Sequence, residues 1–373
     1  MKIINLTDHE IPQNIQDFLQ FGRKTAIGGS QPEHEIFIEI NDLFEKFLKQ
    51  ADFENISETE IQAVKCHSFI AVQNIKNSYT VDPRVKEFLD FKKLNKSLFL
   101  FVDKSPNLCY ITMEEYDRKL GDLFLNDKFE LIHNFKIEKE LVEFRKLIRE
   151  TIGKNISNVK YLNLKPKNSI SEGYGQIKMH KEGSPLRPLV PGHSALTNNV
   201  EKYIKPILTP LLKECSYLVN STKEFKAKFM LEKIKFDPEK HELMSLDIKK
   251  LYPSVNVNRV LSLILNLLFA NPKKFFPEEL DSEGKIIPLP TRLNFLKLMK
   301  HTLTKFSIFR TRIGVFRQLN GLAMGSCLSS IISNLFVHML ETDVVKKFEK
   351  SGDVISCLRY ADDCCVIIKK RQF

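Results

Sequence analysis

Tryptophan is absent from the 373 residues, and glycine is scarce at 14. The missing tryptophan excludes no fold by itself. Scarce glycine argues against an all-β chain, which needs it at turns and bulges, while abundant Leu, Lys, Glu and Ile favour a helix-rich mixed fold. The seven cysteines include no C-x-x-C pair and no other metal-like spacing, so zinc-site readings fall away. An odd count also leaves no complete disulfide framework and favours a reduced, intracellular compartment. Cys364 and Cys365 lie in an apolar run and read as small strand residues. The longest apolar run, Val260 to Ala270, is too short to span a bilayer and is broken by Ser262 and Asn266. The opening MKIINLTDHE lacks the apolar stretch of a signal peptide. Internal repeats and low-complexity linkers are lacking as well.

What is present is a globular composition with a basic surplus. Hydrophobic residues make up 43%, and phenylalanine alone contributes 28 residues. That is enough apolar material for two or three packed units. The formal charge is +11 and the sequence pI about 9.1. Such a surplus attracts polyanions, nucleic acid first among them, although charge alone equally suits a merely basic protein.

Periodicity divides the chain. Ile36, Ile40, Leu43, Phe44, Phe47 and Leu48 repeat at helical spacing and predict an amphipathic helix. Leu98–Val102 and Tyr110–Met113 read as strands about the turn Asp103–Pro106. From Leu162 the texture changes to a basic, Gly- and Pro-punctuated stretch, YGQIKMHKEGSPLRPLV, which reads as two strands joined by Glu182–Pro185. Helices are predicted over Asn199–Leu212, Arg259–Phe269, Thr291–Thr304 and Leu328–Glu341. Glu242–Ile248 reads as a buried strand and Val315–Leu319 as a further one. Two more strands, Ile355–Tyr360 and Cys364–Ile368, flank Ala361-Asp362-Asp363.

Four short segments carry chemistry. Adjacent carboxylates at a hairpin tip, Asp362 and Asp363, can reach a divalent metal, or can be a solvated acidic turn. Asp247 ends an apolar strand, where a charge is costly unless paired or liganded; it can also cap the turn that follows. Two-metal nucleotidyl transfer needs carboxylates converging from separate elements, and hard oxygen donors suit magnesium. A strand-end Asp beside a hairpin Asp-Asp supplies that set. Gly321-Leu322-Ala323-Met324-Gly325-Ser326 opens a helix with residues small enough for close approach of a base or backbone, or is a loop capped by Ser326. Lys178, Lys181 and Arg187 stand on the basic hairpin, where they can clamp a triphosphate or remain solvated.

The order of these segments resembles the fingers and palm of reverse transcriptases, and the details are most similar to Penelope-like retroelements, relatives of telomerase. The motifs that carry the resemblance are Lys178-Met179-His180-Lys181-Glu182-Gly183-Ser184-Pro185-Leu186-Arg187-Pro188, Ser245 to Tyr252, Gly321 to Ser329, and Arg359-Tyr360-Ala361-Asp362-Asp363. Upstream, Phe101-Val102-Asp103-Lys104 with Ile111-Thr112-Met113 and Tyr116 resembles the segment that precedes the family's fingers. Three positions depart from the pattern: Cys327 stands in place of Pro, Ser105 in place of Gly, and Cys364-Cys365 in place of a larger apolar pair.

The resemblance implies an α+β, right-hand polymerase fold of fingers and palm, with an antiparallel palm sheet backed by helices. It implies a mainly helical extension over 1–157, fingers over 158–215, and a palm over 216–373 with an inserted helical segment near 258–312. The chain ends ten residues past Asp363, so the thumb is expected to be absent. The implied activity is RNA-templated DNA synthesis by a retroelement enzyme; the alternative is an inactive or truncated nucleic-acid-binding remnant. Asp247 and Asp362 are the implied principal metal ligands, with Asp363 auxiliary and the Ile248 carbonyl in reach. The ions would be two Mg2+, with Mn2+ as the substitute. Lys181, Arg187 and Lys178 would hold a deoxynucleoside triphosphate, and Gly325 and Ser326 would line the template and nucleotide pocket. Tyr252 would exclude a ribose 2′-OH, which argues against RNA-templated RNA synthesis. The implied partners are an RNA template and a DNA primer, with no membrane, and the implied location is nuclear.

Overall fold

The computed structural model describes residues 2–20, 83–231 and 236–370. The helix expected at Ile36 to Leu48 lies outside them. The fold is mixed α+β with mostly antiparallel sheets. The chain divides into two compact units, Met1–Tyr116 and Asp117–Phe373. No described helix is long and apolar enough to cross a membrane. All six described cysteines are free, and burial pushes the Cys215 and Cys357 thiols up to about 12.

The first unit holds β1 (Ile3–Asn5), β2 (Ser97–Phe101) and β3 (Leu108–Thr112). β3 lies between a parallel β1 and an antiparallel β2. The strand pair expected about Asp103–Pro106 is therefore present, and Lys104 takes positive φ in its turn. Helices Gln13–Gln20 and Pro83–Leu94 bury Ile15, Phe18, Val85 and Phe88 together, with Phe99 of β2 against them.

In the second unit, the strands are β4 (Phe129–Leu131), β5 (Ser171–Glu172), β6 (Tyr174–Ile177), β7 (Leu186–Leu189), β8 (His241–Asp247), β9 (Ile308–Thr311), β10 (Gly314–Gln318), β11 (Val354–Tyr360) and β12 (Asp363–Lys369). They form three sheets, ordered β4-β10-β9-β5, β6-β7 and β11-β12-β8. Helices Ile137–Thr151, Asn198–Leu208, Val257–Ala270, Arg292–Leu303 and Ser329–Ser351 pool their apolar faces into the main core. Their starts are signalled locally: Asn256 accepts from the Arg259 N–H at 3.0 Å and Thr291 from the Asn294 N–H at 3.2 Å, as side-chain caps do. Leu141, Phe144, Leu147 and Ile148 belong to this core. Packing therefore joins Ile137–Thr151 to the residues that follow, within the compact unit Asp117–Phe373.

Two expectations need correction. β8 is a strand, but it is not buried: Leu243 is 57% and Leu246 47% exposed. It is the edge of its sheet, and the apolar cover formed with Tyr217 reaches Cys357 of β11 and Val366 of β12 instead. The helix predicted to end at Glu341 runs on to Ser351 and stops at Gly352, which takes φ of 76°. Its later turns expose Val344 and Phe348, so the apolar period fades before the helix does.

Phe124, Phe129, Phe309 and Phe316 form one ring cluster on the β4-β10-β9 sheet. Phe309 packs on Phe124 and Phe316 with ring centroids 5.1 and 6.0 Å away, and has no exposed surface. Phe309→Ala is expected to cost about 3–5 kcal/mol, the usual range for emptying a buried ring site. Urea unfolding measures it, and a loss below about 1 kcal/mol would contradict this packing account.

Candidate active site

The sheet β11-β12-β8 sets the acidic residues. β12 pairs antiparallel with β8, and the register places Asp363 opposite Asp247. Directly opposed residues share a sheet face with Cβ atoms about 5 Å apart. Asp362 sits in the tight turn between β11 and β12, and its carbonyl accepts the Ile248 N–H at 2.9 Å. The turn carries backbone strain, because Ala361 takes φ of 53°. All three aspartates are exposed, and among the described residues none of their carboxylates is in an ion pair.

The turn is braced from behind. The Arg359 side chain has no exposed surface. Its Nε donates to Glu341 Oε1 at 2.6 Å and its Nη2 to Oε2 at 3.4 Å. Its Nη1 donates to Asn334 Oδ1 at 2.6 Å and to the Ala361 carbonyl at 2.9 Å. The guanidinium fork thus ties two positions of the helix Ser329–Ser351 to the residue before Asp362. The backbone is held too: Arg359 N–H donates to the Tyr217 carbonyl, and the Val219 N–H to the Arg359 carbonyl, both at 2.8 Å.

Tyr252 stands on a one-turn helix, Leu251–Ser254, entered through Lys250 at φ of 53°. Burial raises the pKa of its phenol, and the nearby Asp362 carboxylate raises it further. The side chain is therefore neutral and half-buried beside the acidic turn. Its carbonyl accepts the Leu322 N–H at 3.0 Å, which brings in the Gly321–Ser326 loop. A Cβ on Gly321 would meet the Pro253 backbone at 2.9 Å, and one on Gly325 (φ of 133°) would collide with the Val190 carbonyl. Small residues are needed here for backbone-on-backbone packing, so Gly325 faces protein. Ser326 does not cap the helix as a side chain at its N-cap, which is Leu328. Its hydroxyl donates to Glu201 Oε2 at 2.6 Å and accepts the Leu328 N–H at 3.2 Å.

The basic hairpin, β6-β7, joins through the same loop. Its register pairs Gln176 with Arg187 and Ile177 with Leu186. Past its end, the Val190 N–H donates to the Met324 carbonyl at 2.9 Å and the Gly192 N–H to the Gly325 carbonyl at 3.1 Å. Lys181 is exposed near the tip, while Lys178 and Arg187 are half-buried. The tip carries Gly183 and Ser184 at positive φ, and Lys119 holds it by donating to the Gly183 carbonyl at 2.7 Å. The four sequence segments are thus linked by backbone contacts.

Exposed carboxylates are hard oxygen donors of the kind a divalent cation prefers, and among the described residues no arginine or lysine pairs with these three. Among the described residues, no three His, Cys, Asp or Glu side chains lie close enough together to hold a metal ion. The backbone brings the aspartates side by side, but their like-charged carboxylates are not drawn into one cluster.

Sequence reasoning gave no role to Arg359, Asn334, Glu341 or Glu201. A single arginine inside the apolar strand VISCLRY was the available signal for the first. The Cys327 thiol lies 3.9 Å from the same Glu201 Oε2.

The family described as reverse transcriptase (RNA-dependent DNA polymerase) matches residues 179–372, just over half of the chain. No curated protein matches. Among solved structures, one similar chain is an apo telomerase from Candida tropicalis truncated from its C-terminal domain. It is 13% identical, with 91% of this chain and 66% of that chain covered and a TM-score of 0.48. Another is the telomerase from Candida albicans in complex with the TWJ fragment of telomeric RNA, at 13% identity, 84% and 50% coverage and a TM-score of 0.46. An RNA polymerase complex from inside a dsRNA virus also matches, at 9% identity, 69% and 22% coverage and a TM-score of 0.38. The chain spans only about half to two thirds of the length of these telomerase chains.

The brace gives a test of its own. Arg359→Met leaves Glu341 buried without its counter-charge and is expected to cost about 3–5 kcal/mol, with Glu341→Met added to it restoring most of the loss. Urea midpoints of the single and double variants measure both. Equal stability of the single variant and the wild type would contradict the account.

Proposed function

Because this chain belongs to the reverse transcriptase (RNA-dependent DNA polymerase) family, we propose that it copies RNA into DNA by extending a primer 3′-OH with deoxynucleotides, as a retroelement enzyme of the Penelope-like type. The observation that carries the reading is the set of three exposed carboxylates without counter-ions, Asp247, Asp362 and Asp363, at one end of a sheet. Asp247 and Asp362 are the principal ligands for two Mg2+ ions, or Mn2+ in their place, with Asp363 and the Ile248 carbonyl assisting. When bound, such ions supply positive charge at the attacking hydroxyl and at the pyrophosphate leaving group.

The protein supplies no nucleophile; its residues bind, orient and select. Lys181, Arg187 and Lys178 hold the triphosphate on the β6-β7 hairpin, Arg187 through its planar fork. Tyr252, neutral and half-buried with its phenol under the influence of the Asp362 carboxylate, would crowd a ribose 2′-OH. Gly325 and Ser326 shape the pocket indirectly, by fixing the loop between the hairpin and the Tyr252 turn. The palm so built would act on an RNA template and a DNA primer, and an element of this type implies a nuclear location.

Primer extension on an RNA template tests the reading. We expect incorporation of dNTPs over NTPs with Mg2+ present, abolished by a chelator, and reduced on the order of 1000-fold by Asp362→Asn. Preference for NTPs would point instead to RNA synthesis, and RNA binding without incorporation to an inactive remnant. Tyr252→Ala is expected to narrow the preference for dNTPs over NTPs by about tenfold or more; unchanged sugar selection would remove the gate role.

A further inference from the structure

We propose that two adjoining clefts of the Asp117–Phe373 unit, apart from the aspartates, hold a single strand of RNA. The first is a cavity of about 370 Å³ lined by Arg145, Arg149, Lys165 and Tyr161. The second, of about 760 Å³, is lined by Lys202, Lys273, Lys274, Tyr203 and Phe275. Leu164 lines both, so they meet at the end of the helix Asn158–Asn163. None of Asp247, Tyr252, Asp362 and Asp363 lines either one.

Apart from Lys160, which also lines the second cleft, the cations of these clefts have no ion pair among the described residues. Along the helix Ile137–Thr151, Glu150 faces Lys146 and Lys297, and Glu143 faces Lys305. Glu279 is taken by Lys160 at 2.7 Å. Among the described residues, Arg145, Arg149, Lys165, Lys202 and Lys273 have no carboxylate in ion-pair range. Glu278 is the only acidic residue in either lining. Arg145 and Arg149 are one helical turn apart, where like charges repel by a few tenths of a kcal/mol. On a convex surface, water would screen such a pair. Here it faces a concavity with a tyrosine in its wall, and a string of phosphates would relieve the repulsion.

The aromatic residues decide between single strand and duplex. Tyr161, Tyr203 and Phe275 are half-buried in the two linings, with Lys274 over the Phe275 ring at 5.1 Å; aromatic walls of this kind suit unstacked bases, whereas duplexes keep their bases stacked inside. The choice of RNA over DNA rests on the proposed RNA-templated activity. The strand is a stretch of the RNA outside the segment paired with the primer.

Fluorescence anisotropy with a labelled oligouridine of about 20 nucleotides tests the assignment. The probe is titrated with the full chain at about 50 to 200 mM salt. Combined Arg145→Gln, Arg149→Gln, Lys202→Gln and Lys273→Gln removes four phosphate contacts. The dependence of log affinity on log salt is expected to flatten by roughly 3, and the affinity at the lowest salt to fall on the order of 10- to 100-fold. The Arg145→Gln and Arg149→Gln pair alone should produce about half of that flattening. All four side chains are exposed, so the melting temperature should not move. A charge-matched control at Lys93, Lys346, Lys347 and Lys350 should keep the wild-type slope.

Wild-type behaviour of both cleft variants, an equal loss in the control, or absence of RNA binding by the wild type overturns the proposal. Equally tight binding of duplex RNA, lost in the same variants, overturns the single-strand assignment. Asp362→Asn separates the two readings, because it should bind oligouridine as the wild type does. Absent incorporation with cleft-dependent RNA binding would sink only the polymerase reading. Normal incorporation with cleft-independent binding would sink only this one.

Discussion

A slip of one residue between β8 and β12 would put Cys364 or the turn opposite Asp247 and separate the acidic pair. Most sheets prevent such slips through burial of one face, because the wrong register would expose the apolar set. β8 has little of that protection, since Leu243 and Leu246 are both solvent-exposed at the sheet edge. The register has to be fixed from the other strand. β12 is positioned by its hairpin with β11, and β11 by Arg359, whose backbone pairs with Tyr217 and Val219 and whose side chain is buried. The Ile248 N–H bond to the Asp362 carbonyl then closes the pair at the end that matters.

Burying a guanidinium is expensive, and a buried ion pair contributes little net stability compared with apolar residues of similar volume. Its value here is geometric. An apolar residue at 359 could fill the space, but it could not hold the Ala361 carbonyl at a left-handed turn. Arg359 binds that carbonyl together with Glu341 and Asn334, so the acidic turn is referenced to the helix Ser329–Ser351. The start of the same helix follows the loop that packs against Pro253 and Val190. One rigid helix therefore sets the acidic turn, the Tyr252 turn and the exit of the basic hairpin relative to each other.

The local elements were legible because each has local causes. Turn residues at Glu182–Pro185 and Ala361–Asp362 separate apolar runs, and Asn256 and Thr291 mark helix starts. The juxtaposition of Asp247 with the Asp-Asp turn was legible only as a pair of motifs, since neither strand specifies its partner alone. Three features were out of reach. Arg359 and Glu341 lie on different elements, and no spacing links them. Glu201 and Ser326 are 125 residues apart. The exposure of β8 was also hidden, because an apolar strand looks the same in sequence whether or not anything covers it. Gly325 shows the converse: a small residue in a loop became intelligible once its neighbour, Val190, was in place.

The distribution of charge adds a constraint that composition cannot show. With 57 lysines and arginines against 46 aspartates and glutamates, an exposed carboxylate on this chain should seldom lack a cation nearby. Some indeed have one, as Glu130 and Glu150 do. Others, among them Glu172, Glu182 and Glu242 as well as Asp247, Asp362 and Asp363, have no ion pair among the described residues. What sets the three aspartates apart is their placement, with Asp363 opposite Asp247 in register and Asp362 in the adjoining turn, so that like charges crowd one end of a sheet. Crowding of that kind costs free energy unless solvent or a bound cation offsets it, and the register that the Arg359 brace fixes is what imposes it.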